Sequence, residues 1–255
     1  NVLFVSTPRK GKLSKALKFF ADLWSDDIEL SEPTAENLRK IGEIEYRDNS
    51  LAHLRVPPDV NESYQIEIAG QSKLAGLYIP SHRPVYVYKK VESIPTELNA
   101  RDQLFENYLN ELRSRYNIGS KSMSPSFRIK ESLISLAIFG YGNQAITRND
   151  EAVETFEGFQ EVLRIILPPS LGFQRIQIIP PEVVLETQTG PFSFDAVSGG
   201  VAALIDISWQ IYMCSLVNHG AEFVVVIDEP ENHLHPELQR TVLPDLIKAC
   251  PQVQF

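Results

Sequence analysis

Cysteine is scarce: Cys214 and Cys250 are the only two in 255 residues. Each lies in an apolar stretch, and the nearby His219 does not complete a four-ligand set. A structural zinc site is therefore excluded and plain buried thiols are expected. Basic charge is also short, with 24 Lys+Arg against 33 Asp+Glu and a formal net charge of -9. Beyond the scatter of lysines over residues 10–18 there is no basic run, so the surface as a whole is not built for nucleic acid, although a local basic groove stays open. No unbroken apolar run reaches the ~18 residues of a membrane span, and NVLFVSTPRK lacks a signal peptide's charged start and apolar core. The expectation is a cytoplasmic chain with no membrane partner. Repeats, low-complexity tracts, a G-x-S-x-G elbow, an H-E-x-x-H pair and a Cys with a catalytic His partner are all missing.

The composition itself is ordinary for a globular protein, 43% hydrophobic and 22% charged, enough for one sizeable core or two lobes. Residues 1–6 (NVLFVS) are rich in β-branched and apolar residues, and Leu13, Ala16, Leu17, Phe20, Leu23 and Trp24 then recur at helical spacing. Strand, loop and helix are predicted in that order. Alternation at Ile44/Tyr46, Leu54/Val56 and Tyr64/Ile66/Ile68, with breaks between, predicts an antiparallel meander, and residues 73–80 a further strand. From residue 95 to about 167 the apolar spacing turns helical, and Pro168-Pro169 ends that lobe. Ile176 to Ile179 and Val183 to Glu186 around Pro180-Pro181 predict a short hairpin. A helix opening at Ser198-Gly199-Gly200, the strand Phe223 to Ile227, a helix from Pro236 that Pro244 interrupts, and a strand starting at Val253 complete the chain. The expected division is a first lobe over 1–94 with the early strand, loop and meander, a helical lobe and hairpin over 95–190, and a core segment over 191–255, all within one domain. Because Phe255 falls where a strand begins, the polypeptide is expected to continue.

The strand at Phe223 is fully apolar and ends in two adjacent carboxylates, Asp228 and Glu229. A buried parallel strand delivers such residues to the carboxyl edge of its sheet, where ligands bind. Magnesium needs only one or two carboxylates, so Asp228 can hold a metal shell while Glu229 orients or deprotonates a water. A bare string of this kind also fits a buried strand with an acidic helix cap. About 30 residues upstream, Ser198-Gly199-Gly200 opens a helix whose amides and dipole can bind a phosphate, or which is an ordinary N-cap and turn. Near the N-terminus, residues 6–13 keep Gly11-Lys12 of a phosphate-cradling G-x-x-x-x-G-K-[ST] loop, with Ser6 for the first glycine, Leu13 for the hydroxyl and Ser14 one residue late. That segment reads either as a degenerate P-loop or as a turn with a solvated basic end.

The continuous run IDEPENHLHPELQR resembles the Walker B strand and D-loop of the ABC-type ATPases of the SMC, RecF and OLD-like group, in which D-E-P-E-x-H-L-H-P is a hallmark. The resemblance implies an α/β P-loop NTPase of the ABC type, with an antiparallel β-subdomain and a helical lobe inserted in the core sheet. It implies ATP and magnesium as cofactors: Gly11, Lys12 and Ser14 on the phosphates, Asp228 on the metal and Glu229 as catalytic base. Ser198, Gly199 and Gly200 match the signature motif, which in that family meets nucleotide held by a second subunit; Val197 and Val201 depart from its commonest wording. His235 is carried as a nucleotide-side contact, and His233 and His235 together as dimer-interface residues rather than zinc ligands. The implied partners are a second copy, or a higher homo-oligomer, and an effector protein such as a nuclease in DNA repair or anti-phage defence. Where the family has a metal-sensing Q-loop glutamine, this chain has Ser81, His82 and Arg83; Arg83 is expected to satisfy carbonyls around Pro80 and Pro84. The irregular P-loop and the missing glutamine leave a second reading open, a scaffold that binds nucleotide without hydrolysing it. A third, a DNA-binding subunit, is opposed by the charge.

Overall fold

The computed structural model describes residues 38–46, 48–57, 66–72, 75–114 and 124–255. The P-loop-like segment with Gly11, Lys12 and Ser14, and the helix expected over 13–24, lie outside the described residues. The chain divides into two compact units, residues 1–75 and 76–255.

In the first unit, β1 (Arg39–Glu45), β2 (Leu51–Val56) and β3 (Glu67–Ala69) form an antiparallel sheet in that order. This is the expected meander. Its β1–β2 connection is tight because Asn49 takes a left-handed φ of 63°, which asparagine tolerates, and the Asp48 carboxylate caps the Ser50 amide at 3.0 Å.

The second unit is built on a parallel sheet, β4 (Gly76–Ile79), β8 (Phe223–Ile227) and β9 (Val253–Gln254), with β8 in the centre. Three helices follow β4 in the chain: α1 (Arg101–Ser114), α2 (Pro125–Tyr141) and α3 (Asp150–Ile166). The start of α3 shows why a helix begins there. Asn149 accepts a hydrogen bond from the Ala152 amide at 3.1 Å, and Asp150 and Glu151 sit in the first turn against the helix dipole. A second antiparallel sheet, β5 (Phe173–Ile179), β6 (Glu182–Thr187) and β7 (Gly190–Ser193), comes next. It has one strand more than expected, because β7 is four residues long and carries a glycine and a proline, which read as a turn.

The core is organised by α4 (Gly199–Val217). Asp206, Ser208 and Gln210 interrupt it, so no unbroken apolar run exists. By average composition and length it would nevertheless suffice to cross a membrane, and 78% of that stretch is buried inside the protein. A helix apolar all round is a core helix. Trp209 is fully buried and meets Phe159 of α3 edge-on at 4.9 Å. Tyr212 reaches the Thr155 carbonyl at 3.1 Å across Gly158, where an added Cβ would fall 2.2 Å from the tyrosine oxygen. Two of these polar residues are paired: Asp206 accepts from the buried Tyr108 hydroxyl and, at 2.9 Å, from Gln210 Nε2. The last helix, α5 (Pro236–Ala249), contains Pro244 in its interior, which forfeits one backbone hydrogen bond. Cys214 and Cys250 are buried free thiols, and burial pushes them up to about 12 and about 11.

One buried ion pair ties three segments of this unit together. Lys130 of α2 is fully buried; its Nζ pairs with Asp195, whose side chain is also buried, and donates to the Lys89 carbonyl at 2.5 Å. Removing one partner strands the other charge in a low-dielectric interior. Lys130→Met is expected to cost about 3–5 kcal/mol in a denaturant titration, and adding Asp195→Leu should recover most of that loss. A single-variant cost below about 1 kcal/mol would contradict the assignment.

Candidate functional site

Parallel pairing dictates where the chain leaves the sheet. Ile79 lies opposite Ile227, and the ladder continues one step further with the Asp228 amide donating to the Ile79 carbonyl at 2.9 Å. Residues 80–84 and 228–234 therefore emerge side by side at the carboxyl edge, where crevices in open α/β sheets bind ligands. Asp228 and Glu229 are both exposed there. Among the described residues, neither carboxylate is engaged in a hydrogen bond or ion pair.

The turn that carries these two carboxylates is strained. Glu229 has a φ of 46° and His233 a φ of 66°, left-handed values that a residue with a side chain adopts at a cost of roughly 1–3 kcal/mol each. Several ties hold the turn in that shape. Arg83 Nη2 donates to the Asp228 carbonyl at 3.2 Å and to the Glu229 carbonyl at 3.3 Å. Asn232 Nδ2 donates to the Ser81 carbonyl at 3.1 Å, and the Asn232 amide closes the turn onto the Glu229 carbonyl at 2.9 Å. Gln239 Nε2 takes the Leu234 carbonyl at 3.0 Å. Arg83 was expected to serve carbonyls around Pro80 and Pro84. It reaches across 145 positions of sequence to the acidic turn, a partner that no local pattern reveals.

The helix start lies beside this turn. Ser198 is the N-cap of α4, its Oγ accepting from the Val201 amide at 3.4 Å. A Cβ placed on Gly199 would meet nothing within 4 Å, and one on Gly200 would lie 3.4 Å from the His233 carbonyl, an ordinary contact. Among the described residues, neither glycine is demanded by packing. A recess of about 110 Å³ is lined by Arg83, Tyr86, Val197, Gly199 and His233, among others, so the structure brings the Ser198 to Gly200 turn, the His233 backbone and Arg83 together. Within the recess wall, Tyr86 stacks on Phe194 at 5.6 Å. Its phenol is pushed well above the ordinary value, first by burial and then by the negative charges of Asp206 and Asp195.

His235 has a local occupation. It is the N-cap of α5, its Nδ1 accepting from the Glu237 amide at 3.5 Å. Among the described residues no group of three or more His, Cys, Asp or Glu side chains could hold a metal. Magnesium does not need such a group. It retains most of its waters and accepts one or two carboxylates, which the exposed Asp228 and Glu229 can supply.

A family profile described as "AAA domain, putative AbiEii toxin, Type IV TA system" matches residues 20–255. The chain belongs to this family. It is accordingly an AAA ATPase domain with the α/β fold of P-loop NTPases, in keeping with the parallel sheet of the second unit. The matched span begins after Gly11, Lys12 and Ser14, so the family assignment does not rest on them. No curated protein matches this AAA domain.

The open space around Gly199 yields a stability test of this AAA domain. Alanine is favoured over glycine within a helix by roughly 0.5–1 kcal/mol, and no described residue resists it. Gly199→Ala should raise the thermal midpoint by roughly 1–4 °C in a calorimetric scan. A fall would show that the glycine is needed for packing within the chain.

Proposed function

We propose that this AAA domain is an ABC-type ATPase in which two copies enclose ATP, each supplying half of every site. In this arrangement β1 to β3 form the antiparallel β-subdomain and α1 to α3 the helical lobe, both inserted by chain order between the P-loop-like segment and the Walker B strand. Lys12, with Gly11 and Ser14, contacts the phosphates. Asp228 holds magnesium, which when bound neutralises charge on the phosphates, and Glu229 takes the proton of the attacking water. Ser198, Gly199 and Gly200 face the phosphate held by the other copy, and His235 lies at that interface.

One observation carries the proposal. Two consecutive glycines open a 19-residue helix beside the acidic edge, and no described residue requires the missing side chains. Exposed amides at a helix N-terminus bind phosphate, and glycine lets the anion approach the backbone. Glycine in a helix costs stability relative to alanine, and an anion approaching the backbone is a use that offsets that cost. The family description mentions a toxin of a toxin–antitoxin system, which supports a controlling role over an effector, such as a nuclease, in defence or repair.

The sequence departures favour a second reading, a domain that binds ATP and assembles a partner without turnover. Ser6 and Leu13 interrupt the P-loop wording, and residues 80–84 offer Ser81, His82 and Arg83 but no glutamine. Steady-state turnover separates the two. Under the first reading the wild-type chain hydrolyses ATP, and Glu229→Gln reduces kcat by about 100-fold or more while ATP with magnesium still drives association by mass. A wild type that binds ATP and associates without releasing phosphate would establish the second.

A further inference from the structure

Arg83 is 92% buried, its relative exposure being 8%, and an arginine is seldom buried to that degree without a specific use for its charge. It stands four residues past the end of β4, on the segment that leaves the carboxyl edge of the parallel sheet. Its Nη2 donates to two consecutive carbonyls, those of Asp228 and Glu229. Two successive carbonyls converge on one donor only when the chain turns between them, and the φ of 46° at Glu229 is that turn. Without the guanidinium the Glu229 carbonyl keeps the Asn232 amide but loses this donor, so the strain stored at Glu229 is less firmly opposed and its carboxylate is less firmly aimed.

We infer that Arg83 is a positioning residue: its guanidinium pins the backbone of the Asp228–Glu229 turn and thereby aims the Glu229 carboxylate. The inference rests on the reading of Glu229 as the base. Arg83 does not touch the reacting atoms; it acts through the two carbonyls. The tie from Asn232 to the Ser81 carbonyl does not involve Arg83, so the loop stays anchored when the guanidinium is removed.

The test uses the full chain with Arg83→Gln, Arg83→Lys, Glu229→Gln and the double variant Arg83→Gln/Glu229→Gln. Turnover, KM for ATP, ATP affinity with magnesium and the thermal midpoint are measured for each. Misplacing a catalytic group by about 1 Å can cost a hundredfold in rate. Arg83→Gln is therefore expected to lower kcat by about 10- to 100-fold with KM and ATP affinity within about threefold of wild type, and Arg83→Lys to recover part of the loss. On the Glu229→Gln background, Arg83→Gln should cost little more, because the group it aims is already gone. Unchanged kcat in Arg83→Gln, or losses in kcat, affinity and midpoint that run in parallel and add fully to those of Glu229→Gln, would overturn the assignment alone. Absence of turnover in the wild type would overturn the reading beneath it and this assignment together.

Discussion

Parallel pairing between β4 and β8 is the constraint from which the rest of the site follows. Because both strands run the same way, the chain that leaves Ile79 and the chain that leaves Ile227 arrive together at one edge, and the Asp228 amide is still part of the ladder when it gets there. The acidic pair is consequently anchored by sheet hydrogen bonds on one side. The side chains of Arg83 and Asn232, which cross between the two exits, anchor it on the other. Strain at Glu229 and His233 is tolerable only because the surroundings are this closely determined. An antiparallel partner would have sent residues 80–84 to the opposite edge and left the turn without its donors.

A second layer of control lies deeper. Lys130, in the middle of the helical run, pairs with Asp195 three residues before Ser198 and also takes the carbonyl of Lys89, on the chain that follows Arg83. Tyr86 and Phe194 stack alongside. The approach to the α4 N-terminus and the exit from β4 are thus fastened to the same helix, so the glycine turn and the acidic turn are positioned by one connected set of buried contacts. Buried polar contacts of this kind act as a unit, since each group left unpaired in a dry interior is costly.

The apolar strand ending in Asp228-Glu229, the serine–glycine helix start, the meander and the helical stretches are all legible in the sequence, because each rests on local spacing that periodicity exposes. The partners of Arg83 and of Lys130 are not. They depend on contacts 145 and 65 residues apart, and an isolated arginine between prolines or a lysine on a helix carries no local sign of its destination. β7 escaped for a different reason: four residues that include glycine and proline lack the alternation that marks a strand, and pairing with β6 overrides propensity. His235 matches the family wording, yet its structural use as the cap of α5 is visible only in the fold. Gly11, Lys12 and Ser14 rest on sequence alone.

The central claim is that each nucleotide site is shared between two copies, with Glu229 from one and Ser198 to Gly200 from the other. The most direct measurement mixes two inactive full-length variants, Glu229→Gln and Gly199→Glu, the second placing bulk and negative charge where phosphate is to sit. In a shared-site dimer each mixed pair contains one site with both defects and one with neither. Turnover should then return to roughly a quarter of wild type on 1:1 mixing, half the pairs being mixed and half of their sites intact. Mixtures as inactive as the separate variants would place both elements in a site within a single chain and contradict the account.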